Sequence, residues 1–334
     1  MSFPAHGKIS KATKDLSNAS KIVERRNCSQ ALKKLLSDSN IRSRFANEAA
    51  IAARDKNKST HQILSKIYSN AIKAAINCAQ KTLDSSTKEK NEDIIFPFRI
   101  FTLVDKDTDA ALASIKKERQ AGFDECEPFT FQHFERYRNT NQNLTFVQPR
   151  VIQELLKYCL DCLENEDICG LAEAELLNFL HKLCSRPDYV AHIHPNQYMI
   201  EILTAVQIRL LRSMDSVKMC EYAAKAFYYL VHQFTVALGM DISGFVQPVL
   251  ALVVDWVRTC SSRASSGNST NSSEILKWMY GVAIDILSAY PDQCVSVLGQ
   301  NNYGKDLFGY CRSRWLVSKD DHKEALVGYF SSHL

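Results

Sequence analysis

The sequence predicts an all-α protein, and three features of its composition support this. Glycine and proline are scarce, at 11 and 8 of 334 residues, so the tight turns of an all-β protein would be hard to build. Long stretches rich in Leu, Ala, Lys and Glu favour helices. The 46% hydrophobic content excludes wholesale disorder, and the chain is long enough to bury large cores.

The charge is unevenly distributed along the chain. Residues 1–60 hold 13 Lys and Arg against 5 Asp and Glu, a balance of +8, which leaves −4 for the remainder of a chain at +4. A basic head suggests a nucleic-acid or acidic-protein partner, and a solvated helical surface is the plainer alternative. The head lacks the aromatic-interleaved pattern of a dedicated nucleic-acid binder.

Cysteine usage and hydropathy point to a reducing, intracellular setting. The eleven cysteines form no regular framework, and no apolar region near Met1 resembles a secretory signal. No run approaches the about 18 apolar residues that span a membrane, so we expect no membrane association.

Residues 1–83 are expected to form a basic N-terminal helical cap, in which helices begin near Lys8 and residues 55–59 are a polar connection. Between Leu16 and Leu36 the apolar residues form two stripes roughly 170° apart, so either one helix is covered on two sides or the chain breaks. We favour a break near residues 27–29, where Asn27 and Ser29 suit a helix N-cap. Further helices are expected from Asp38–Ser39 to about Arg54 and over residues 60–83.

Residues 84–148 are expected to form a linker and an irregular insertion. The aromatic run that begins at Ile94 could be a strand, but Pro97 weakens that assignment, and a short buried helix is favoured. Another helix is expected over residues 109–121. Residues 122–148 show no clear period and are either an ordered insertion or a boundary between packing units.

The second half, residues 149–334, has the spacing of a helical-repeat protein. Helices are expected at about 149–164, 167–185, 195–213, 215–239, 243–260, 273–290 and 303–317, with one more to the C-terminus. Short connections make neighbours antiparallel, and pairs recurring at roughly 40–45 residues favour an α-solenoid of antiparallel HEAT-like helix pairs.

Several residue groups could carry chemistry, and each has a structural alternative. Cys159 and Cys162 form a CxxC, with further Cys and His downstream, but both share a core face of one predicted helix and suit packing better than zinc. His192 and His194 could hold metal or pair with Cys184, yet no orienting group or oxyanion hole can be assigned.

The remaining candidates are apolar, and nucleotide signatures are missing. The stripe from Phe227 to Leu238 could line a pocket but suits a core, and Trp256, Trp278 and Trp315 suit anchors between helices. The chain has no GxxxxGK[ST], no GxGxxG and no kinase HRD or DFG motif. We therefore predict no catalytic residues, no metal ligands and no cofactor in this chain.

One motif indicates more than a helical fold. Lys21, Glu24 and Arg25, followed by Leu32–Lys33–Lys34–Leu35–Leu36, resemble the TAN motif, the N-terminal signature of ATM-type kinases and their fungal telomere-maintenance counterparts. Ser17 and Ser29 stand where the motif has aliphatic residues. Residues 60–78, 176–183 and 196–211 also resemble later helices of that family, so the likeness extends loosely over about residues 1–240.

The resemblance implies the N-terminal scaffold of a large Ser/Thr kinase of the phosphatidylinositol-3-kinase-related family, with its kinase domain outside this chain. Such a parent is a nuclear, non-specific serine/threonine protein kinase in the DNA-damage response and in telomere maintenance. Its implied partners are DNA-break sensors or telomere proteins, with an indirect association with DNA. The alternative is an unrelated HEAT or armadillo adaptor. The candidate docking residues are Lys21, Glu24, Arg25, Leu32, Leu35 and Leu36.

Overall fold

The computed structural model describes residues 4–41, 43–44, 58–83, 92–106, 147–165, 168, 170–212, 217–264 and 272–300. Helices account for 89% of the structure, and these ranges contain no strand. The all-α prediction is therefore confirmed, with helices packed on one another in a solenoid-like manner. Among the described helices, none has the length and hydropathy needed to cross a membrane.

The chain divides into two compact units, Met1–Tyr158 and Cys159–Leu334. The described helices of the first unit are α1 (Pro4–Asn18), α2 (Ile22–Ser37), α3 (Lys58–Leu83), α4 (residues 92–106) and the larger part of α5 (Pro149–Glu164). The boundary falls inside α5. The predicted division at residues 83 and 148 stays a prediction.

Helix α1 packs against both α2 and α3 through apolar residues that its helical period brings to one side. Ile9 and Leu16 of α1 and Leu32 of α2 are at most 2% exposed. The favoured break near residues 27–29 is wrong, because α2 runs without interruption from Ile22 to Ser37 and the chain leaves helical geometry at residues 19–21 instead. That earlier break separates the buried Leu16 and Ala19 from the apolar residues of α2.

Two predicted elements of this unit are confirmed where the structure describes them. Asp38 caps the next helical turn, since its Oδ1 accepts the backbone N–H groups of Asn40 and Ile41 at 2.9 and 3.2 Å. The rest of that helix, to about residue 54, lies outside the described residues. Helix α3 covers the predicted residues 60–83 and begins two residues earlier.

The aromatic run at Ile94 is the buried helix that was favoured over a strand. Within α4, Ile95, Phe98 and Phe101 are at most 1% exposed. Tyr158 of α5 stacks on Phe98 with ring centroids 5.4 Å apart and donates its hydroxyl hydrogen to the carbonyl of Ile94 at 3.1 Å. The helix predicted at 109–121, and most of the insertion at 122–148, lie outside the described residues.

The second unit contains the end of α5 and seven further described helices. These are α6 (Leu171–Cys184), the single turn α7 (Pro187–Val190), α8 (Pro195–Arg212), α9 (Val217–His232), α10 (Val246–Ala264), α11 (Ser272–Ala289) and α12 (Pro291–Gln300). Proline opens α5, α7, α8 and α12, where its missing N–H costs nothing.

These helices pack in two layers. Helix α9 lies between α6 and α11 in one layer, and α10 lies between α8 and α12 in the other. Sequential helices α8 and α9, and likewise α10 and α11, pack together across the layers; short connections make such neighbours antiparallel. The first layer's helices begin at residues 171, 217 and 272, so the repeat is longer than the expected 40–45 residues.

The chain from 215 to 239 is not one regular helix, as had been expected. Helix α9 passes into a π-helical segment, Gln233–Ala237, in which the amide of Leu238 donates to the carbonyl of Gln233 at 2.8 Å. The changed winding leaves Val236 59% exposed, although Phe227 and Phe234 are fully buried. Helix α12 was not predicted, and the helix expected at 303–317 lies outside the described residues.

Candidate functional site

The polar part of the TAN-like motif forms the N-terminus of α2. Lys21 is the N-cap, with extended backbone angles of −86° and 149°. Its amide donates to Glu24 Oε2 at 3.2 Å, and the Ser20 hydroxyl lies 3.5 Å from the same oxygen. This is half of a capping box, since a lysine side chain has no acceptor for the amide of residue 24. Glu24 therefore organises the start of the helix.

Lys21 is the N-cap residue and precedes the helix, and its carbonyl accepts the backbone N–H of Arg25 at 2.9 Å, the first i,i+4 hydrogen bond of α2. Both Lys21 and Glu24 are exposed, whereas Arg25 is half-buried. Arg25 lies near α3, where burial raises the pKa of the Cys78 thiol and the positive charge of Arg25 partly offsets that rise. Ser29 of α2 approaches the same thiol, with Oγ and Sγ 3.9 Å apart.

The closing block of the motif holds the first unit together. Leu32 and Leu36 are 0% and 4% exposed, and Leu35 is half-buried. Between these leucines, Lys33 donates to Glu92 of α4 at 2.7 Å, and Arg99 donates to the same carboxylate at 2.9 Å. The hydrogen bond from Lys33 is the main reason that the pKa of Glu92 is lowered.

The six predicted docking residues thus fall into three groups, of which Arg25 and Leu35 form the half-buried one. Leu32 and Leu36 are core residues and are inaccessible to a partner in this structure. Lys21 and Glu24 are accessible, and Val23 between them is 68% exposed. We call Lys21, Val23 and Glu24 the motif surface. It offers one apolar and two oppositely charged contacts to a partner protein.

The cysteines around the CxxC are core residues. Cys159, Cys162 and Cys184 are fully buried, and the Cys159 thiol donates to the carbonyl of Leu176 at 3.8 Å. Burial, and then the neighbouring thiols, raise the pKa of Cys159 well above its ordinary value, so it stays protonated. The predicted packing role is confirmed. No metal-holding group of three or more ligands occurs among the described residues, which omit Cys169.

His192 and His194 belong to the connection between α7 and α8. The carbonyl of His194 accepts the amides of Gln197 and Tyr198 at 3.0 and 3.2 Å, which starts α8. His194 is exposed, whereas His192 is half-buried and burial lowers its pKa. The connection therefore fixes the first turn of α8.

A feature that the sequence did not reveal is an aromatic cluster on the layer formed by α6, α9 and α11. Tyr228 of α9 is central, with ring centroids 5.3 Å from Trp278, 5.3 Å from Tyr229 and 5.6 Å from His232. His181 of α6 lies 5.5 Å from Tyr229 and 6.1 Å from Tyr222. We call these six residues the aromatic face: His181, Tyr222, Tyr228, Tyr229, His232 and Trp278.

Polar groups border the aromatic face. The ammonium groups of Lys225 and Lys277 lie 5.4 and 5.7 Å from the ring centroid of Trp278, within cation–π range. His232 Nδ1 lies 3.0 Å from Asp285 Oδ2. His181 Nδ1 and Trp278 Nε1 are covered without a hydrogen-bond partner in the described part of the chain. All six rings remain half-buried, so part of each can contact another molecule.

A local signal for this face existed in α9. Tyr222, Lys225, Tyr229 and His232 recur at helical spacing on the side opposite Phe227 and Leu230, which are fully buried. The residues from Phe227 to Leu238 predict one apolar stripe, whereas Tyr228 and Tyr229 within that range lie on the aromatic face. Trp256 is 3% exposed and anchors α10 as expected, whereas Trp278 lies on the aromatic face and Trp315 lies outside the described residues.

The fold and these surfaces define a helical-repeat protein with accessible polar and aromatic side chains. Comparisons with family models, with curated proteins and with solved structures found no match to this chain.

Proposed function

We propose that this chain is the N-terminal helical scaffold region of an ATM-like serine/threonine kinase that acts in the DNA-damage response and in telomere maintenance. In this proposal the region docks partner proteins, the kinase domain lies outside the chain, and the parent protein is nuclear. The observation that carries the proposal is the spacing of Lys21, Glu24 and Arg25 before the block from Leu32 to Leu36.

The geometry of α2 supports a role for the motif in both folding and docking. Its leucines and Lys33 bind α2 to its neighbours, which accounts for the closing block as a packing element. That leaves Lys21, Val23 and Glu24 exposed at the end of a well-anchored helix. A rigidly held surface binds a partner with little loss of conformational entropy.

The aromatic face supports docking by the second unit. Tyrosine and tryptophan are enriched at the energetic centres of protein interfaces, and here they lie together on two packed helices, α9 and α11. DNA-break sensors or telomere proteins are the proposed partners, and association with DNA would be indirect through them.

The test is the double variant Lys21→Ala/Arg25→Glu in the chromosomal gene. We expect loss of recruitment to induced double-strand breaks and telomere shortening, with helicity by circular dichroism unchanged. The control is Lys8→Ala/Lys11→Glu on α1, which makes the same change in net charge at two exposed lysines. Unimpaired recruitment in the motif variant would contradict docking by the motif, and unfolding would make the motif purely structural.

The second candidate is a HEAT or armadillo adaptor unrelated to DNA damage. The aromatic face favours it, because such a surface would suit a docking protein even if the likeness to the TAN motif were accidental. Sequencing the transcript beyond the codon for Leu334 separates the two candidates. In-frame kinase motifs of the HRD and DFG type support the kinase parent, and a transcript without them supports the adaptor.

A further inference from the structure

A cleft of about 270 Å³ separates α1 from α3 within the first unit. Residues one helical turn apart line each wall. From α1 these include Ser10, Thr13 and Lys14, and from α3 they include Asn70, Lys73 and Asn77. Ser17 also lines the cleft and stands at a motif position, but no residue of the motif surface lines it, so a ligand here would not use the docking residues of the proposed function.

The lining of this cleft is rich in hydrogen-bond donors and positive charge. It carries two ammonium groups, two side-chain amides and three hydroxyls, and no carboxylate is among its described lining residues. Ammonium groups donate only, while amides and hydroxyls can donate or accept. Such a set is complementary to an anion with several acceptor oxygens.

Thr13 gives the cleft a buried polar group with nothing bound to it. The side chain is 7% exposed, and its hydroxyl oxygen has no hydrogen-bond partner in the described part of the chain. Leaving a buried hydroxyl unsatisfied destabilises a fold. Threonine in a helix populates two χ1 rotamers, so rotation about χ1 is the movement that would bring this donor to a ligand in the cleft.

The two lysines can bind an anion without leaving another charge unpaired. Lys73 lies 3.3 Å from Glu154, but Arg150 also donates to Glu154 at 3.2 Å, so that carboxylate keeps a partner if Lys73 turns to a ligand. Lys14 is exposed and has no ion-pair partner among the described residues.

We propose that this cleft binds a phosphate group, with Lys14 and Lys73 providing the charge and Thr13 a buried hydrogen bond. Lysine is a common phosphate ligand in proteins, and a dianionic phosphate presents three strongly accepting oxygens. The cleft is larger than a phosphate ion needs, so we expect a phosphate monoester of a small molecule to fill it better than inorganic phosphate does.

The test is isothermal titration calorimetry of the full chain at low ionic strength, with inorganic phosphate and O-phosphoserine as separate ligands. Tighter binding of O-phosphoserine supports an ester as ligand, and comparable affinity supports the free anion. The variant Lys14→Gln/Lys73→Gln should weaken the binding of either ligand at least about tenfold, because hydrogen bonds to a charged group are lost. The control variant Lys11→Gln, at an exposed position of α1, should leave the affinity for both ligands unchanged. Absence of binding of both ligands to the unmodified chain would overturn the proposal.

A second variant tests the buried donor and separates binding from folding. Thr13→Val keeps the side-chain shape and removes the unsatisfied hydroxyl, so the Tm without ligand should stay the same or rise. Its affinity for phosphate should fall several-fold. An unchanged affinity would show that the hydroxyl does not bind the ligand and would contradict its assigned role. A clear drop in Tm without ligand would show that the hydroxyl serves the fold and would contradict that role as well.

Discussion

Gly281 offers the sharpest test of packing in the aromatic face. This glycine lies buried in α11, directly against Tyr228 of α9. A Cβ at position 281 would lie 2.7 Å from Cε2 and 2.9 Å from Cδ2 of that tyrosine. The ring also lies 5.3 Å from the ring centroid of Tyr229 and 5.6 Å from that of His232, both on α9, so it cannot move away from α11 without disturbing these neighbours. We therefore expect Gly281→Ala to destabilise the protein.

The expected change in the free energy of unfolding combines two opposing effects. Overpacking a well-filled site typically costs about 1–3 kcal/mol. Replacing glycine by alanine inside a helix stabilises by about 1 kcal/mol. The net change expected for Gly281→Ala is a loss of about 1 kcal/mol. For a unit of this size, that lowers the Tm by about 2–4 °C.

Urea denaturation followed by circular dichroism and tryptophan fluorescence measures this loss. The control is Gly299→Ala in α12, which is also helical but has no atom within 4 Å of the new Cβ, and which should be neutral or stabilising. In a Tyr228→Ala background, Gly281→Ala should become stabilising because the obstruction is gone. If Gly281→Ala stabilises the unmodified protein as much as the control does, the close packing of Tyr228 on α11 is refuted.

Two further predictions concern buried titratable groups. Burial, and then the charges of Lys225 and Lys182, lower the pKa of His181 from 6.5 to about 4, so between these values the unfolded chain binds a proton that the folded one does not. Stability should therefore be full above about pH 6.5 and fall by roughly 1–2 kcal/mol towards pH 4, after allowing for solvent screening of a half-buried ring. His181→Phe should lose this dependence in urea titrations, and an identical slope in both proteins would contradict it. Separately, Cys159 and Cys184 should resist thiol labelling in the native state and react in denaturant, because burial raises the pKa of both. Peptide mass spectrometry measures this, and native labelling of either as fast as half-buried Cys28 would be inconsistent with the core packing.

The sequence predicted the helices best where local signals mark their ends. Helix α5 has the expected bounds, 149–164, because proline at its first position is a strong start signal. The break before α2 was misplaced since Lys21 is not a preferred N-cap residue, and a periodic pattern cannot distinguish a break from a helix covered on two sides. The π-helical segment after α9 has no comparable local signature.

The sequence predicted which residues belong to the candidate site, but it did not predict how these residues are arranged in space. The motif residues from Lys21 to Leu36 can be read along the chain, but whether each faces a neighbour or solvent depends on α1, α3 and α4. Val23 shows this, because its apolar character suggested burial and the turn at residues 19–21 leaves it exposed.

Taken alone, the sequence determined the helical class, the positions of most helices and the motif, because composition, capping residues and the 3.6-residue period act over a few turns of chain. The tertiary structure decided which residues meet across long separations. His181 and Trp278 reach one aromatic face from two different helices, and Thr13 and Lys73 reach one cleft in the same way. Helical period specifies the side of a helix on which a residue lies, and only packing specifies what that side contacts.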